Sequence, residues 1–208
     1  HNINYNITGT GEAVIFLHNG FYSTETWNNI RNEISSQYKM IDYNRFGYGK
    51  SDHFNTFLKE DIIENGIAEL KEFIEKLELD RFFLCGHCLG GAIALLYAAR
   101  NPEKVIKVIS ESTGFFSDHK LLLKSDLTFR NFDEIDNNLR TSLINMHGYD
   151  YSKEFWKILC NYHNGYIMKE SYNILDEVKK IKCPVLLING DRDFYFDINH
   201  VALAYKKI

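Results

Sequence analysis

The hexapeptide Gly-His-Cys-Leu-Gly-Gly at residues 86–91 constrains the fold of this chain more than any other feature. It follows a short apolar run at 81–85 and opens a segment rich in Ala and Leu at 89–100, which predicts a strand, a sharp turn and a helix. A residue at the tip of such a turn needs small neighbours two positions away, and Gly86 and Gly90 meet this need. The pattern is typical of a nucleophile elbow, with Cys88 at the tip.

The helix predicted to start at Leu89 has a chemical consequence for the cysteine. Its positive end points at Cys88, so we expect it to favour a thiolate and a developing oxyanion. The backbone N–H of Leu89 is in position to be one oxyanion donor. His87 is adjacent in sequence, but an elbow projects neighbouring side chains in different directions. We therefore expect a structural or pocket-lining role for His87.

The residues alone leave other interpretations of this motif open. The turn could hold a buried, inert cysteine, or Cys85 and Cys88 could form a redox C-x-x-C pair before a helix. A zinc half-site is a third interpretation, although Cys160 and Cys183 stand alone in the sequence. Cys85 lies inside the apolar run, so we expect it in the core.

Hydrophobic patterning along the chain predicts an α/β fold. Apolar runs at 13–17, 38–43, 105–109 and 183–188 predict buried strands, and an alternating segment at 3–7 predicts one more. Helices are predicted at 27–35, 62–77, 89–100 and 198–207. Strands that alternate with helices predict a mainly parallel sheet with helices on both faces.

Residues 113–177 break this alternation. They are aromatic, polar and mostly helix-like, without a clear strand. We interpret them as a helical lid inserted into an α/β core that consists of residues 1–112 and 178–208.

Composition limits the classes of partner. The 208 residues carry a net charge of -4 without a long basic run, which argues against nucleic acid or an anionic membrane as the main partner. No apolar run approaches the roughly 18 residues that span a bilayer. The four cysteines do not form a secreted-type disulfide framework, so we expect a reduced, cytoplasmic setting. Neither a cofactor nor a structural metal is predicted.

Taken together, these motifs resemble the α/β-hydrolase superfamily over nearly the whole chain. Residues 15–20, Ile-Phe-Leu-His-Asn-Gly, resemble the strand and His-Gly loop that supply the second oxyanion donor. The resemblance implies Gly20 as that donor, with Asn19 at a position usually held by Gly. Residues 42–51 resemble the Gly-rich loop after the next strand, in which Arg45 and Ser51 are expected to be structural.

The resemblance also implies a catalytic acid. Gly-Asp-Arg-Asp at 190–193 follows the last predicted strand, and the second Asp of this motif orients the catalytic histidine in the family. That role falls on Asp193. Glu111, at the end of an earlier strand, is the alternative acid. A turn rich in Asp after a strand is also common without any function.

The chain departs from the family pattern at the position of the catalytic histidine. The order nucleophile, acid, histidine places it after one more helix and strand, beyond Ile208. We expect this chain to be part of a longer protein, although a remnant without a complete triad is the alternative. Of the histidines present, His200 is expected at the surface and His18 behind the oxyanion loop. The histidines of the predicted lid are expected to be solvated or to line a pocket: His119, His147 and His163.

The resulting functional prediction is hydrolysis of an ester, thioester or related acyl bond in a small apolar substrate, with Cys88 as nucleophile. Acyl transfer through a Cys-linked intermediate is one alternative, since thioesters pass their acyl group to amines and thiols. A ligand-binding protein that retains the pocket without a complete triad is another. The cysteine could also replace a natural serine.

Overall fold

A computed structural model describes residues 1–54, 62–162 and 172–208; His163 and part of the predicted lid lie outside these ranges. Six strands form one sheet: β1 Tyr5–Thr8, β2 Ala13–Leu17, β3 Lys39–Tyr43, β4 Phe82–His87, β5 Val105–Glu111 and β6 Val185–Ile188. Their order is β1-β3-β2-β4-β5-β6. β1 pairs antiparallel with β3, and the other neighbours pair in parallel.

Helices connect the strands in the order that the sequence predicts. They are α1 Asn28–Ser35, α2 Ile62–Lys76, α3 Leu89–Arg100, α4 His119–Thr128, α5 Asn137–His147, α6 Tyr149–Tyr162, α7 Leu175–Val178 and α8 Ile198–Tyr205. A 3-10 turn at Thr24–Trp27 precedes α1. Of the described helices, none has the length and apolar character that a bilayer crossing requires.

The sheet is buried on both faces at its centre, which explains why β2 is a continuous apolar run. Val14 and Phe16 point to a small cluster with Trp27 and Met40 on the α1 side. The alternate residues of β2 point to the main core, which also contains α2 and α3. This arrangement confirms the predicted parallel α/β sheet with helices on both faces.

α2 shows how closely the helical layer packs. The predicted apolar face is buried at Ile63, Ile67, Leu70 and Ile74. Gly66 faces α3 so closely that an added Cβ would lie 2.5 Å from a side-chain carbon of Ile93. The glycine therefore lets α2 rest directly on the helix that follows the elbow.

Within the residues of this chain, β6 is the last strand of the sheet, and Leu186 and Ile188 are 53% and 44% exposed. The expectation that His200 lies at the surface is wrong. His200 is only 1% exposed, because α8 packs against the segment before α4. There its ring stacks on Phe116 at 3.9 Å, and its Nε2 lies 3.0 Å from a carboxylate oxygen of Asp118.

The helices between β5 and β6, α4–α7, occupy the segment that was predicted as a helical lid. Asp118 and Asp136 cap α4 and α5 by accepting hydrogen bonds from backbone N–H groups. Arg100 at the end of α3 bonds to Glu64 of α2 and Glu177 of α7. These contacts attach the inserted helices to the core.

At the elbow, backbone segments approach each other very closely. An added Cβ on Gly86 would lie 2.3 Å from the carbonyl oxygen of Gly90, and one on Gly90 would lie 2.2 Å from the carbonyl oxygen of Leu17. Both obstacles are backbone atoms that cannot rotate away. The end of β2, the end of β4 and the start of α3 can therefore meet only if both positions are glycine.

Gly86→Ala is expected to reduce the free energy of unfolding by about 3 kcal/mol, because the added methyl group meets backbone on a buried strand. Urea denaturation followed by circular dichroism measures this loss. Gly20→Ala is the control: its added Cβ would meet Leu89 side-chain carbons at 3.7 Å or more, an ordinary contact. Equal stability of the two variants would contradict the packing argument.

Candidate active site

Cys88 lies where β4 ends and α3 begins, in a backbone conformation that side chains rarely adopt. Its φ is 53° and its ψ is -114°. The backbone N–H of Cys88 donates to the carbonyl oxygen of Glu111 on β5 at 2.8 Å. The side chain borders a cavity of about 130 Å³. The structure thus places Cys88 at the strained tip predicted from the glycine spacing.

Two backbone donors converge on the Cys88 sulfur. The backbone N–H groups of Leu89 and Gly20 both lie close enough to the sulfur to lower the pKa of the thiol. Leu89 is the first residue of α3, and Gly20 lies in the loop after β2. These are the two residues named from the sequence as oxyanion donors. Donors that converge on the sulfur are also placed for a carbonyl oxygen bonded next to it.

Asn19 shapes the loop that presents Gly20. Its side-chain oxygen accepts hydrogen bonds from the backbone N–H groups of Phe21 and Tyr22, both at 2.9 Å. An Asx-type turn of this kind fixes a loop without a glycine. The departure from the usual Gly at position 19 is therefore compatible with a formed donor at Gly20.

His18 and Arg45 support the same loop from behind. The Nε2 of His18 accepts from the backbone N–H of Arg45 at 3.2 Å, and its Nδ1 lies 2.8 Å from the carbonyl oxygen of Asn19. The Arg45 guanidinium donates to that carbonyl at 2.5 Å. Burial and the nearby Arg45 charge hold the pKa of His18 well below its usual range. His18 is thus a neutral structural residue, as predicted.

Burial dominates the electrostatics of the nucleophile. It raises the pKa of Cys88 to about 11, although the N–H groups of Leu89 and Gly20 act to lower this pKa. The charge of the nearby Asp193 raises the pKa further. The expected preference for a thiolate is therefore outweighed by the loss of solvent. Cys88 is a neutral thiol at pH 7 and needs a base to ionise it.

Asp193 follows β6 in a tight turn. Its Oδ1 accepts from the backbone N–H groups of Tyr195 and Phe196, at 2.8 and 3.0 Å. Its charge acts on both Cys88 and His87. The turn therefore holds this carboxylate in a fixed position near the nucleophile.

The histidines do not complete a triad within the described ranges. There, no imidazole hydrogen-bonds to Cys88 or to Asp193. Burial lowers the pKa of His87, while the charges of Glu111 and Asp193 raise it. His87 is thus influenced by both of the carboxylates that are candidates for the acid, Glu111 and Asp193.

His147 connects α5 to the site. Its Nδ1 accepts from the backbone N–H of Gly49 at 2.9 Å, and its Nε2 donates to the carbonyl oxygen of Phe21 at 2.7 Å. The neutral ring with its proton on Nε2 satisfies both contacts. Burial lowers the pKa of His147 to about 4. Instead of being solvated, this histidine fastens α5 to the loop that carries Gly20.

Cys85 and Cys88 have different surroundings. It packs against the cluster on the α1 side of the sheet, whereas Cys88 borders the cavity. Burial raises the pKa of the Cys85 thiol to about 12. These surroundings do not favour a redox pair. Over the described ranges, no group of three or more His, Cys, Asp or Glu side chains is arranged to hold a metal ion.

The cavity wall contains residues that sequence reasoning missed. α4 contributes Leu121 and Ser125, and Phe129 follows directly after it. Their spacing of four is the signal that would have identified a shared helix face, had the helix been located. The remaining wall is mostly aromatic and aliphatic: Phe21, Tyr48, Ile62, Ile63, Ala92, Leu159, Tyr172, Tyr195 and Phe196, with Gly20, Leu89 and Gly114.

Comparisons with known sequences agree with this geometry. A sequence profile described as the alpha/beta hydrolase fold matches residues 12–142. A 2-hydroxy-6-oxo-6-phenylhexa-2,4-dienoate hydrolase of Comamonas testosteroni is 32% identical over 116 residues, covering 54% of this chain and 40% of that protein. An uncharacterized protein of Mycobacterium tuberculosis is 27% identical over 110 residues, covering 53% and 31%. The matches thus span between 31% and 40% of these relatives' lengths.

Solved structures share the fold over nearly the whole chain. MGS-M2, an alpha/beta hydrolase enzyme from a Medee basin deep-sea metagenome library, has a TM-score of 0.81 at 17% identity, covering 99% of this chain and 82% of that one. The enol-lactonase from Burkholderia xenovorans has a TM-score of 0.77 at 16% identity, covering 99% and 84%.

The raised pKa of Cys88 predicts slow alkylation at neutral pH. The rate of modification by iodoacetamide is expected to rise about tenfold per pH unit from pH 7 to pH 10, because only the thiolate reacts. Mass spectrometry of the peptide that contains Cys88 follows the reaction. A free small thiol, which levels off above its pKa of about 8.5, is the reference. A plateau below pH 8 would contradict the burial argument.

The lowered pKa of His147 predicts that stability falls in acid. In the unfolded chain the imidazole takes up a proton near pH 6.5, whereas in the folded protein it does so only near pH 4. The contribution of neutral His147 to the free energy of unfolding is therefore complete above pH 6.5 and is lost as the pH falls below it. Between pH 7.5 and 5.0 the wild type is expected to lose about 2 kcal/mol more than His147→Gln. Urea unfolding at the two pH values tests this, and equal losses would refute it.

Proposed function

The chain belongs to the alpha/beta hydrolase fold family, and on this premise we propose that it hydrolyses an ester, thioester or related acyl bond of a small apolar substrate. The observation that carries the proposal is the Cys88 sulfur at the elbow, met by two backbone N–H donors and bordering an apolar cavity. Two relatives are named as dienoate hydrolases and a structural neighbour as an enol-lactonase, which supports carbonyl chemistry at this site.

In the proposed reaction the Cys88 sulfur attacks the carbonyl carbon of the acyl group. The carbonyl oxygen takes the negative charge and is held by the N–H groups of Leu89 and Gly20. The tetrahedral intermediate collapses, the bond to the leaving group breaks, and the proton taken from the thiol passes to that group. Water then cleaves the thioester, releases the acid and restores the thiol.

A base is required because burial keeps the thiol neutral. Asp193 supplies a carboxylate that can orient an imidazole and stabilise its protonated form. The described residues provide this carboxylate without an imidazole bonded to it. We therefore assign Asp193 the role of the triad acid in the proposed mechanism, with Glu111 as the alternative.

We propose that α4–α7 act as a cap on a core made of residues 1–112 and 178–208. α4, α6 and the segment that follows contribute Leu121, Ser125, Leu159 and Tyr172 to the cavity wall. Through this wall the inserted helices would select the substrate, while the elbow and the oxyanion loop carry out the chemistry.

The test is acylation of the purified protein by p-nitrophenyl butyrate, followed by intact mass spectrometry and peptide mapping. We expect an adduct of one butyryl group on Cys88 and its absence in Cys88→Ala. Cys85→Ala is the matched control and is expected to be acylated like the wild type, because Cys85 lies outside the cavity. An adduct on another residue, or none, would refute the proposal, and product analysis with an added amine separates hydrolysis from acyl transfer.

A further inference from the structure

Two hydroxyl groups in the cavity wall are buried and have no hydrogen-bond partner. They belong to Ser125 of α4 and Tyr48 of the loop after β3. Both side chains are 1% exposed. A hydroxyl that leaves water without gaining a partner is unfavourable, so folded proteins rarely leave one unpaired. Each would therefore gain a hydrogen bond from a polar group that the cavity binds.

The other tyrosine hydroxyls of the same wall are paired within the protein. The hydroxyl of Tyr172 donates to the carbonyl oxygen of Gly114 at 2.9 Å. The hydroxyl of Tyr195 donates to the Thr128 hydroxyl at 2.5 Å. The unpaired state thus distinguishes Ser125 and Tyr48 from their neighbours.

Ser125 is a single polar group on an otherwise apolar stretch of wall. Leu121 and Phe129 lie one turn before and after it, about 6 Å away along the helix axis. A serine inside a helix can bond back to the carbonyl one turn earlier, but this one does not. Its hydroxyl therefore has no partner within the protein, at a position between two apolar parts of the wall.

The charge of the wall limits what that group can be. Among the described wall residues there is no Asp, Glu, Lys, Arg or His. A charged ligand group would lose its hydration without gaining a countercharge, which is strongly unfavourable. A neutral oxygen, as in a ketone or an alcohol, needs only a hydroxyl partner.

We propose that Ser125 is a specificity-determining residue, whose hydroxyl hydrogen-bonds to a keto or hydroxyl oxygen on the apolar acyl group of the substrate. Tyr48 supplies a second unpaired hydroxyl to the same cavity wall. This inference rests on the proposed function, since it names the substrate class of the same cavity. The protein would then select oxygenated acyl groups over plain alkyl ones of equal length.

Binding to Cys88→Ala protein tests this inference without depending on turnover. The probes are hexanamide and its 3-oxo, 4-oxo and 5-oxo derivatives, and the signal is fluorescence of Trp156, which stacks on Phe129. At least one keto derivative is expected to bind tenfold or more tightly than hexanamide. Ser125→Ala in the same protein is expected to reduce this preference to twofold or less, and Tyr48→Phe to weaken it partly.

Ser152→Ala is the matched control. Ser152 is also fully buried in an inserted helix, but its hydroxyl donates to the carbonyl oxygen of Tyr149 and does not border the cavity. This variant is expected to retain the preference for the keto probe. If Ser152→Ala retains the preference for the keto probe and Ser125→Ala loses it, the preference depends on the cavity hydroxyl rather than on the packing of the helix.

Several outcomes would overturn the inference. They are equal binding of all probes, a preference that persists in Ser125→Ala, and no binding of any probe. An equal increase in the affinity of Ser125→Ala for all probes would also overturn it, because this result would show that the hydroxyl only holds a water molecule. Failure of the proposed function is seen separately, as absence of acylation at Cys88. A keto preference without acylation would leave Ser125 as the recognition residue of a binding protein.

Discussion

The close approach of three backbone segments at the elbow is the constraint on which the site depends. Gly90 rests against the carbonyl oxygen of Leu17, so α3 begins directly against the end of β2. The same approach turns the chain at Cys88 into a positive φ. Because the loop after β2 starts at this contact, Gly20 comes within reach of the sulfur. One packing arrangement thus positions Cys88 and the backbone N–H groups of Leu89 and Gly20, to which the proposed mechanism assigns the roles of nucleophile and oxyanion donors.

The electrostatic surroundings of Cys88 disfavour a thiolate in the resting protein, and in the proposed mechanism they favour the charge that develops on the substrate oxygen. Burial keeps the thiol of Cys88 neutral, although two N–H groups and a helix N-terminus point at it. Donors that are fixed in advance stabilise an oxyanion without first having to reorganise. The positive charge of Arg45 is directed instead to the loop carbonyl of Asn19, where it supports the backbone. The arrangement therefore suits an intermediate better than a resting thiolate.

Local sequence patterns predicted the parts of the structure that depend on neighbours in the chain. The strand, glycine and helix signals around residues 86–91 predicted the positions of Cys88 and Leu89, whereas Gly20 was predicted from the family resemblance of residues 15–20. Predictions failed where distant segments decide the environment. His200 is buried because the segment before α4 covers it, and no local pattern contains such information. The cavity face of α4 was missed for another reason: its spacing of four was present in the sequence, but the helix was not located.

Phe21 shows why the wall of the cavity and the oxyanion donor act as one unit. Its backbone follows Gly20 directly, and its carbonyl oxygen accepts from His147 of α5. Its ring packs against Phe129 and Trp156, at 5.6 Å between ring centroids in each case. A ligand that displaces the aromatic wall would therefore move the residue next to the donor. In the proposed mechanism, the inserted helices that line the cavity and the N–H of Gly20 would in this way be mechanically coupled, because close-packed side chains transmit strain.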